Sequence, residues 1–190
     1  GGAVRGHDGS PRQEPQASAI AISEAAKAVK AGDVDVAIAG GSEALIVPGV
    51  IMAWQAMQTL AVFAPGQAAT CVRPFALDRS GFALGEGAAF LVLESAERAR
   101  SRGARLYAEL AGRGSSCDAT HLTKPDAAGQ QRAIVAALEM AGLSPREVGY
   151  CNAHGTATSI GDAIECEALR MAWQDDLDRL RVSSTKSMHG

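Results

Sequence analysis

The residues best suited to chemistry lie close to the C-terminal end of the sequence. The run Asn152-Ala153-His154-Gly155-Thr156-Ala157-Thr158 follows a short apolar stretch and precedes Asp162 and Glu165. A histidine where a strand ends, beside a glycine and two hydroxyl residues, lies where α/β folds commonly place active sites. His154 is therefore a candidate catalytic residue. The alternative is a turn histidine whose ring only caps backbone groups.

Two further polar segments accompany this histidine. In Ser183-Ser184-Thr185-Lys186-Ser187-Met188-His189-Gly190, the lysine lies among hydroxyl residues and could hold an anion or tune a neighbouring group, or could simply be solvated. The segment from Asp78 to Gly87 is glycine-rich, but no Gly-Lys-Ser/Thr follows and it precedes a predicted strand. We therefore expect close backbone packing at these glycines and no nucleotide site.

A metal site would need the side chains of Cys117, His121, Cys151 and His154. A cysteine and a histidine lie four residues apart in one pair and three apart in the other. Neither spacing matches the paired short spacings of structural zinc sites. We predict no metal ligand in this chain.

The elements that would position these residues alternate between strands and helices. Residues 1–16 are rich in Gly, Pro and charge, which predicts an irregular segment. Helices are predicted at 17–31, 48–60, 95–102, 127–141 and 162–173, and strands at 34–40, 90–94, 106–110, 150–153 and 181–184. This alternation is typical of an α/β fold with a largely parallel or mixed sheet between helices.

Composition limits the partners and the location. The formal net charge of -3 comes without a basic stripe, so nucleic acid is not an expected partner. Apolar runs are too short to cross a bilayer, so we expect no membrane association. The 4 cysteines are scattered without a framework spacing, which favours free thiols in the cytoplasm.

Together the motifs resemble the condensing enzymes of the thiolase fold, in particular elongating β-ketoacyl-acyl-carrier-protein synthases of the type II kind. The matching segments are Gly32 to Val36 with Ala39 to Glu43, Arg73-Pro74-Phe75 with Asp78 to Phe82, Leu84 to Ala88, Asn152 to Thr158 with Gly161-Asp162, and Val182 to Met188. The resemblance implies part of a layered α/β/α/β/α sandwich, with mixed sheets between helical layers. It assigns 17–104 to the N-terminal half of a synthase and 105–190 to a truncated C-terminal half.

The resemblance also implies an acyltransferase that condenses an acyl thioester with a malonyl thioester in fatty-acid biosynthesis. Family members use a cysteine nucleophile and two histidines, with substrates carried on acyl carrier protein, and they form homodimers without a metal or nucleotide cofactor. The implied roles are these: catalytic His154 and Lys186, acidic supporting residues Asp162 and Glu165, and phosphopantetheine-binding Thr156, Thr158 and Thr123. We expect the side chains of His154 and Lys186 to lie within reach of each other, with both threonines of the His154 segment in the same cleft.

Two departures from the family pattern bear on activity. The nucleophile position falls on Pro15, which has no thiol, and the chain ends at Gly190, before the second histidine of the family. We therefore expect this chain to be inactive, as the product of a frame error or an incomplete gene. Two alternatives are a ketosynthase of a polyketide pathway and a non-catalytic partner subunit resembling a chain-length factor. Such partners carry glutamine at the nucleophile position, and Gln16 is one residue out of register.

Overall fold

The computed structural model of the protein describes residues 15–118 and 125–190, with side chains from residue 17 onward. It combines α-helices with short strands. The helices are α1 (Pro15–Ala31), α2 (Pro48–Ala56), α3 (Ala96–Ser101), α4 (Ala127–Ala141), α5 (Ser159–Trp173) and α6 (Lys186–His189). The strands are β1 (Val36–Glu43), β2 (Gly87–Glu94), β3 (Tyr150–Asn152) and β4 (Arg181–Ser183).

The described residues divide into two compact units, and each unit combines segments that are distant in sequence. Unit 1 contains the described residues up to Ser42 together with Ala88–Glu109. Unit 2 contains Glu43–Gly87 and Leu110–Gly190. The division of the chain into 17–104 and 105–190 is a separate statement about family halves, and it stays a prediction.

Unit 1 is built on the pairing of β1 with β2. Helix α1 begins at Pro15, two residues before the predicted start, because a proline suits the first helical turn, where its missing N–H has no helical partner. The helix ends as predicted before Gly32, which adopts a φ of 78°. Gly40 and Gly41 allow close packing, since a Cβ at these positions would collide with the backbone of Ala89 and the side chain of Ser18.

Unit 2 has its apolar core between α4, α5 and the turn after α5. Its buried members are Leu169, Ala172, Trp173 and Leu180. The indole Nε1 of Trp173 donates a hydrogen bond to the carbonyl oxygen of Pro145 at 3.0 Å. Because this polar group is satisfied, the large ring can be buried without a desolvation penalty. The core fixes α5, the helix that follows the His154 segment.

Strands β3 and β4 form a parallel pair in unit 2, as the α/β prediction requires. Tyr150, Cys151 and Asn152 lie opposite Arg181, Val182 and Ser183. Both strands therefore end at the same edge, and the segments that leave them start side by side. His154 follows one strand and Lys186 follows the other.

Two predicted elements were wrong. Helix α2 ends at Ala56 rather than near Leu60, because the chain beyond it bonds elsewhere: the N–H of Phe82 donates to Thr59 O at 3.1 Å, and the N–H of Ala61 donates to Phe82 O at 2.8 Å. Residues 106–110 do not form a strand. Their apolar alternation fits a strand, but the described residues include no segment that pairs with them.

The glycine-rich segment before β2 packs closely, as predicted. Gly81 has a φ of 143°, and a Cβ there would collide with the backbone of Thr59 and Leu60. A Cβ on Gly85 would collide with the carbonyl of His189. Within 15–118 and 125–190, no helix is long and apolar enough to span a membrane.

Candidate active site

The segment that carries His154 is tied to the end of the neighbouring strand. The N–H of Ala153 donates to the carbonyl oxygen of Ser183 at 2.8 Å, which extends the β3–β4 ladder by one bond. Asn152 reaches across from the last position of β3, where its side-chain oxygen accepts from the N–H of Thr185 at 3.2 Å. The segments that hold His154 and Lys186 are therefore fixed to each other by these two hydrogen bonds.

Glu165 holds the turn formed by His154 and Gly155, the histidine turn, through its backbone N–H groups. Its carboxylate accepts the backbone N–H of His154 at 2.7 Å and that of Gly155 at 2.8 Å. Hydrogen bonds to a charged acceptor are about twice as strong as neutral ones. Since Glu165 lies in the second turn of α5, the position of the histidine backbone follows that of the helix.

Ser184 holds the same turn from the β4 side. Its hydroxyl donates to the carbonyl oxygen of Gly155 at 2.9 Å and lies 3.3 Å from that of His154. Gly155 itself has a φ of 38°, and a Cβ there would lie 2.5 Å from the Cβ of Ser184. Only glycine fits this position without displacing its neighbours.

The ring of His154 keeps an exposed face, yet its surroundings disfavour the charged form. Partial burial lowers its pKa, and the positive charge of Lys186 lowers it further. The carboxylates of Glu165 and Asp162 act in the opposite direction, but the net pKa is below the ordinary value of 6.5. The imidazole is thus held neutral at physiological pH, in which state one ring nitrogen still carries a hydrogen to donate.

The pKa of Lys186 is shaped by two of the influences that act on His154, partial burial and the charge of Glu165. Partial burial lowers the pKa of its ammonium group, and the negative charge of Glu165 opposes that shift. Its influence on the pKa of His154 agrees with the prediction that the two residues lie near each other.

A cleft of about 240 Å³ opens beside Lys186. It is lined by residues of three segments: Ala68, Ala69, Cys71 and Val72; Ala83 and Leu84; and Lys186 to Gly190. Neither His154 nor Thr156 nor Thr158 lines this cleft, so a cleft shared by these residues and Lys186 stays a prediction.

The two threonines are half-buried and bonded to each other. Their hydroxyl oxygens lie 3.0 Å apart, and that of Thr158 accepts the N–H of Gly161 at 3.2 Å. Thr158 is therefore the N-cap of α5, a position that threonine favours. Thr123 lies outside the described residues.

Asp162 is buried in the first turn of α5, with 1% of its surface exposed. Its Oδ2 accepts the backbone N–H of Phe75 at 2.7 Å and lies 3.6 Å from Nε of Arg79. Phe75 has a φ of 65°, the left-handed region that residues with a Cβ seldom adopt. The edge of its ring, at Cε2, lies 3.0 Å from the point where a Cβ on Gly155 would stand.

Sequence reasoning assigned no role to Phe75, Arg79 or Ser184. The first two belong to a segment that precedes α5 by some eighty residues, and no spacing rule connects them to it. The visible signal was the pair Asp78-Arg79, which follows Phe75 within four residues and belongs to the family motif. For Ser184 the signal was its place at the end of a strand, beside Lys186.

None of the four cysteines occupies the predicted nucleophile position, which is Pro15, the first residue of α1. All four are free thiols. Cys71 is buried in a loop, Cys117 is exposed, Cys151 lies on β3, and Cys166 lies on α5. Burial raises the pKa of Cys151 and of Cys166, and nearby carboxylates add to both shifts, so these thiols are poor nucleophiles at neutral pH. The described part of the chain holds no group of three or more side chains suited to a metal ion.

Comparison with protein families finds two adjoining matches. Residues 16–99 match the β-ketoacyl synthase N-terminal domain, and residues 107–190 match the β-ketoacyl synthase C-terminal domain. The two matches follow each other in the order that the sequence motifs predicted.

Curated relatives agree with these matches. The chain is 44% identical over 171 residues to a 3-oxoacyl-[acyl-carrier-protein] synthase 2 of Staphylococcus aureus, which covers 89% of this chain and 42% of that protein. It is 46% identical over 169 residues to nodulation protein E of Rhizobium sp. (strain N33), covering 89% of this chain and 40% of that protein. The chain thus spans about two fifths of the length of these relatives.

Solved structures share the fold. One, a type II polyketide synthase acyl-carrier protein in complex with its ketosynthase bound to the hexaketide, has a TM-score of 0.87 at 37% identity and covers 92% of this chain and 43% of that one. Another, the ishigamide ketosynthase/chain length factor, has a TM-score of 0.83 at 37% identity and covers 92% of this chain and 41% of that one. These similarities confirm the predicted α/β class and the partial thiolase-like fold. The chain belongs to the β-ketoacyl synthase family.

Proposed function

We propose that this chain is part of a 3-oxoacyl-[acyl-carrier-protein] synthase, an acyltransferase of fatty-acid biosynthesis that condenses an acyl thioester with malonyl-acyl carrier protein. The observation that carries the proposal is the His154 turn. Its backbone is held by Glu165 and Ser184, and its ring is kept neutral beside Lys186. The 44% identity to a synthase of that name supports the choice of reaction.

In the proposed reaction, His154 donates a ring N–H to the oxygen of the malonyl thioester. The bond between C2 and the carboxylate breaks, carbon dioxide leaves, and the electron pair remains as an enolate whose oxygen the histidine stabilises. A preorganised donor of this kind is worth about a hundred- to a thousand-fold in rate. Lys186 favours the neutral imidazole, and Asp162 and Glu165 support the segment that carries it.

The malonyl group would arrive on the phosphopantetheine arm of acyl carrier protein. Thr156 and Thr158, with Thr123, are the proposed contacts for that arm. The hydroxyls of the first two already bond to each other, and that of Thr158 caps α5, so the arm would meet a fixed polar surface. The proposed chemistry uses no metal or nucleotide cofactor.

The chain itself should not complete a condensation. The acyl group needs a thiolate at the head of α1, where the helix dipole lowers a thiol pKa, and Pro15 has none to offer. We infer that the 190-residue chain can at most decarboxylate the malonyl thioester. The enolate would then take a proton and leave an acetyl thioester.

A ketosynthase or chain-length-factor role in polyketide assembly is the second candidate. It is favoured by the similarity to a ketosynthase in complex with a type II polyketide synthase carrier protein and to a ketosynthase/chain length factor. As a synthase we propose a homodimer, whereas a chain-length-factor-like subunit would pair with a ketosynthase. In both cases we propose acyl carrier protein as a partner, and neither nucleic acid nor membrane. The free cysteines favour a cytoplasmic location.

The test uses two incubations, each followed by mass spectrometry. With an acyl thioester of acyl carrier protein, we expect the intact mass of the chain to stay unchanged; stoichiometric acylation of a cysteine would contradict the assignment of Pro15. With malonyl-acyl carrier protein, we expect slow formation of the acetyl form, reduced about a hundred-fold in His154→Gln. Equal rates in the wild type and the variant would overturn the role of His154.

A further inference from the structure

The segment from Phe75 to Arg79 is bound to the N-terminal turn of α5 by one partly buried arginine. Only 17% of the Arg79 side chain is exposed. Its Nε donates to the carbonyl oxygen of Thr158 at 3.0 Å, and one terminal nitrogen donates to that of Ser159 at 2.7 Å. The other terminal nitrogen turns back to the carbonyl oxygen of Ala76 at 2.9 Å. The guanidinium therefore joins two segments that are about eighty residues apart.

Asp162 completes this connection from the helix side. It pairs with Arg79 and also accepts the backbone N–H of Phe75. That hydrogen bond holds Phe75 in a left-handed backbone conformation, which a residue with a Cβ adopts only when its surroundings impose it. Asp162 imposes this conformation through its hydrogen bond to Phe75, and Arg79 supports it by binding the carbonyl oxygen of the next residue, Ala76.

The consequence of this conformation is the position of the Phe75 ring. Its edge lies against the Cα of Gly155, the residue that follows His154, and so forms one wall of the histidine turn. Glu165 and Ser184 fix the polar groups of the same turn, and the ring adds an apolar contact beside Ser184. The ring in turn depends on the segment that Arg79 anchors.

We propose that Arg79 is a positioning residue of the active site: through Asp162 and the start of α5, it holds the ring of Phe75 against the histidine turn. The inference rests on the proposed function of His154. The forked, planar guanidinium is essential to it, because a lysine ammonium on a flexible stem cannot bond the carbonyl oxygens of Thr158, Ser159 and Ala76 in the same arrangement.

The experiment compares Arg79→Met and Arg79→Lys with the wild type and with Arg73→Met. Arg73 is a suitable control because it lies two residues before Phe75 and its described bonds go to Asp78 rather than to α5. Two readouts are made by mass spectrometry: amide hydrogen exchange in the peptide containing Phe75, and exchange at C2 of the His154 ring, which reports its pKa.

In Arg79→Met we expect amide exchange at Phe75 to accelerate at least ten-fold. The pKa of His154 should rise, because the negative charge of Asp162 is no longer balanced; Lys186 and Glu165, the other charges that act on the ring, are unchanged. In Arg79→Lys the amide exchange at Phe75 should accelerate as well. The pKa of His154 should stay close to that of the wild type, since the positive charge remains. Arg73→Met should match the wild type in both.

Wild-type exchange at Phe75 in Arg79→Lys would overturn the proposal, and this variant decides the matter if Arg79→Met fails to fold. Equal acceleration in Arg73→Met would also overturn it. The malonyl decarboxylation assay separates this inference from the proposed function. A wild type without decarboxylation, in which Phe75 is nevertheless protected by Arg79, refutes the function and leaves the positioning role intact.

Discussion

At the scale of single residues, the charge state of His154 depends on a balance between one cation and two carboxylates. Lys186 lowers its pKa, whereas Glu165 and Asp162 raise it. Replacing Lys186 with methionine keeps a long side chain but removes the cation. We therefore expect the pKa of His154 to rise in Lys186→Met, as measured by exchange at C2 of its ring.

Lys30→Met provides the control, because it removes an exposed lysine of α1 that is not among the charges acting on His154. An unchanged pKa of His154 in Lys186→Met would contradict the proposed electrostatic role of the lysine.

The same pKa shift predicts how stability depends on pH. Because the folded chain lowers the pKa of His154 below 6.5, the unfolded chain binds this proton first as the pH falls. The contribution of this site is therefore complete above about pH 6.5 and is lost on acidification below that value. Urea unfolding from pH 7.5 to 5.5 should show a smaller loss in His154→Gln than in the wild type, and an equal loss in both would contradict the shift.

Gly155 allows a test of the packing around the histidine turn. A methyl group there would meet Ser184 and the ring of Phe75, and the backbone conformation is unfavourable for alanine. We expect Gly155→Ala to reduce the free energy of unfolding by about 2 kcal/mol or more. Gly149→Ala is the matched control, since nothing lies within 4 Å of its Cβ position. Denaturant unfolding measures both, and similar values for the two variants would refute the packing argument.

At the scale of elements, α5 depends on a cap that belongs to the candidate site. Thr158→Ala removes the hydroxyl that accepts the N–H of Gly161, which should cost about 1 kcal/mol. Thr158→Ser keeps that hydroxyl and should restore most of the stability. Thermal unfolding followed by circular dichroism distinguishes the two variants. If the serine variant were as unstable as the alanine variant, the threonine methyl rather than the cap would carry the effect.

The sequence predicted those elements whose ends are set locally. Gly32 and Gly142 both have positive φ and end α1 and α4 where expected. The end of α2 was missed because it is decided by hydrogen bonds to Phe82, more than twenty residues further along the chain. Residues 106–110 were wrongly predicted to form a strand, because a strand needs a pairing partner and alternation alone does not supply one.

The same distinction between locally determined features and those that depend on distant contacts applies to the candidate site. The neighbouring positions of the His154 and Lys186 segments could be predicted because each follows a recognisable strand, and parallel strands bring their ends together. The roles of Glu165 and Ser184 in holding backbone groups required the structure, since carboxylates and hydroxyls have many possible partners. The role of Arg79 could not be predicted from the local sequence pattern. Its hydrogen bonds to the start of α5 join two segments that are about eighty residues apart.

At the scale of the whole molecule, the β1–β2 sheet leaves apolar side chains uncovered. Successive residues of a strand point to opposite faces, yet Phe90, Leu91 and Val92 are all at least 50% exposed. Exposed apolar surface of this kind promotes association. We expect the chain expressed alone to be oligomeric or poorly soluble, and Val92→Lys to reduce association, as measured by size-exclusion chromatography with light scattering. A monodisperse monomer with a sharp cooperative melt would contradict this prediction.

The long separation between the Phe75 segment and α5 has a consequence for the order of events during synthesis on the ribosome. Strands β1 and β2 can pair once the chain has been made as far as Glu94. Phe75 must wait, because the carboxylate that fixes its backbone belongs to a residue added 87 positions later. At about 5–20 residues per second, this interval lasts several seconds. During this interval, the segment that will form one wall of the candidate site is an unanchored loop of the nascent chain.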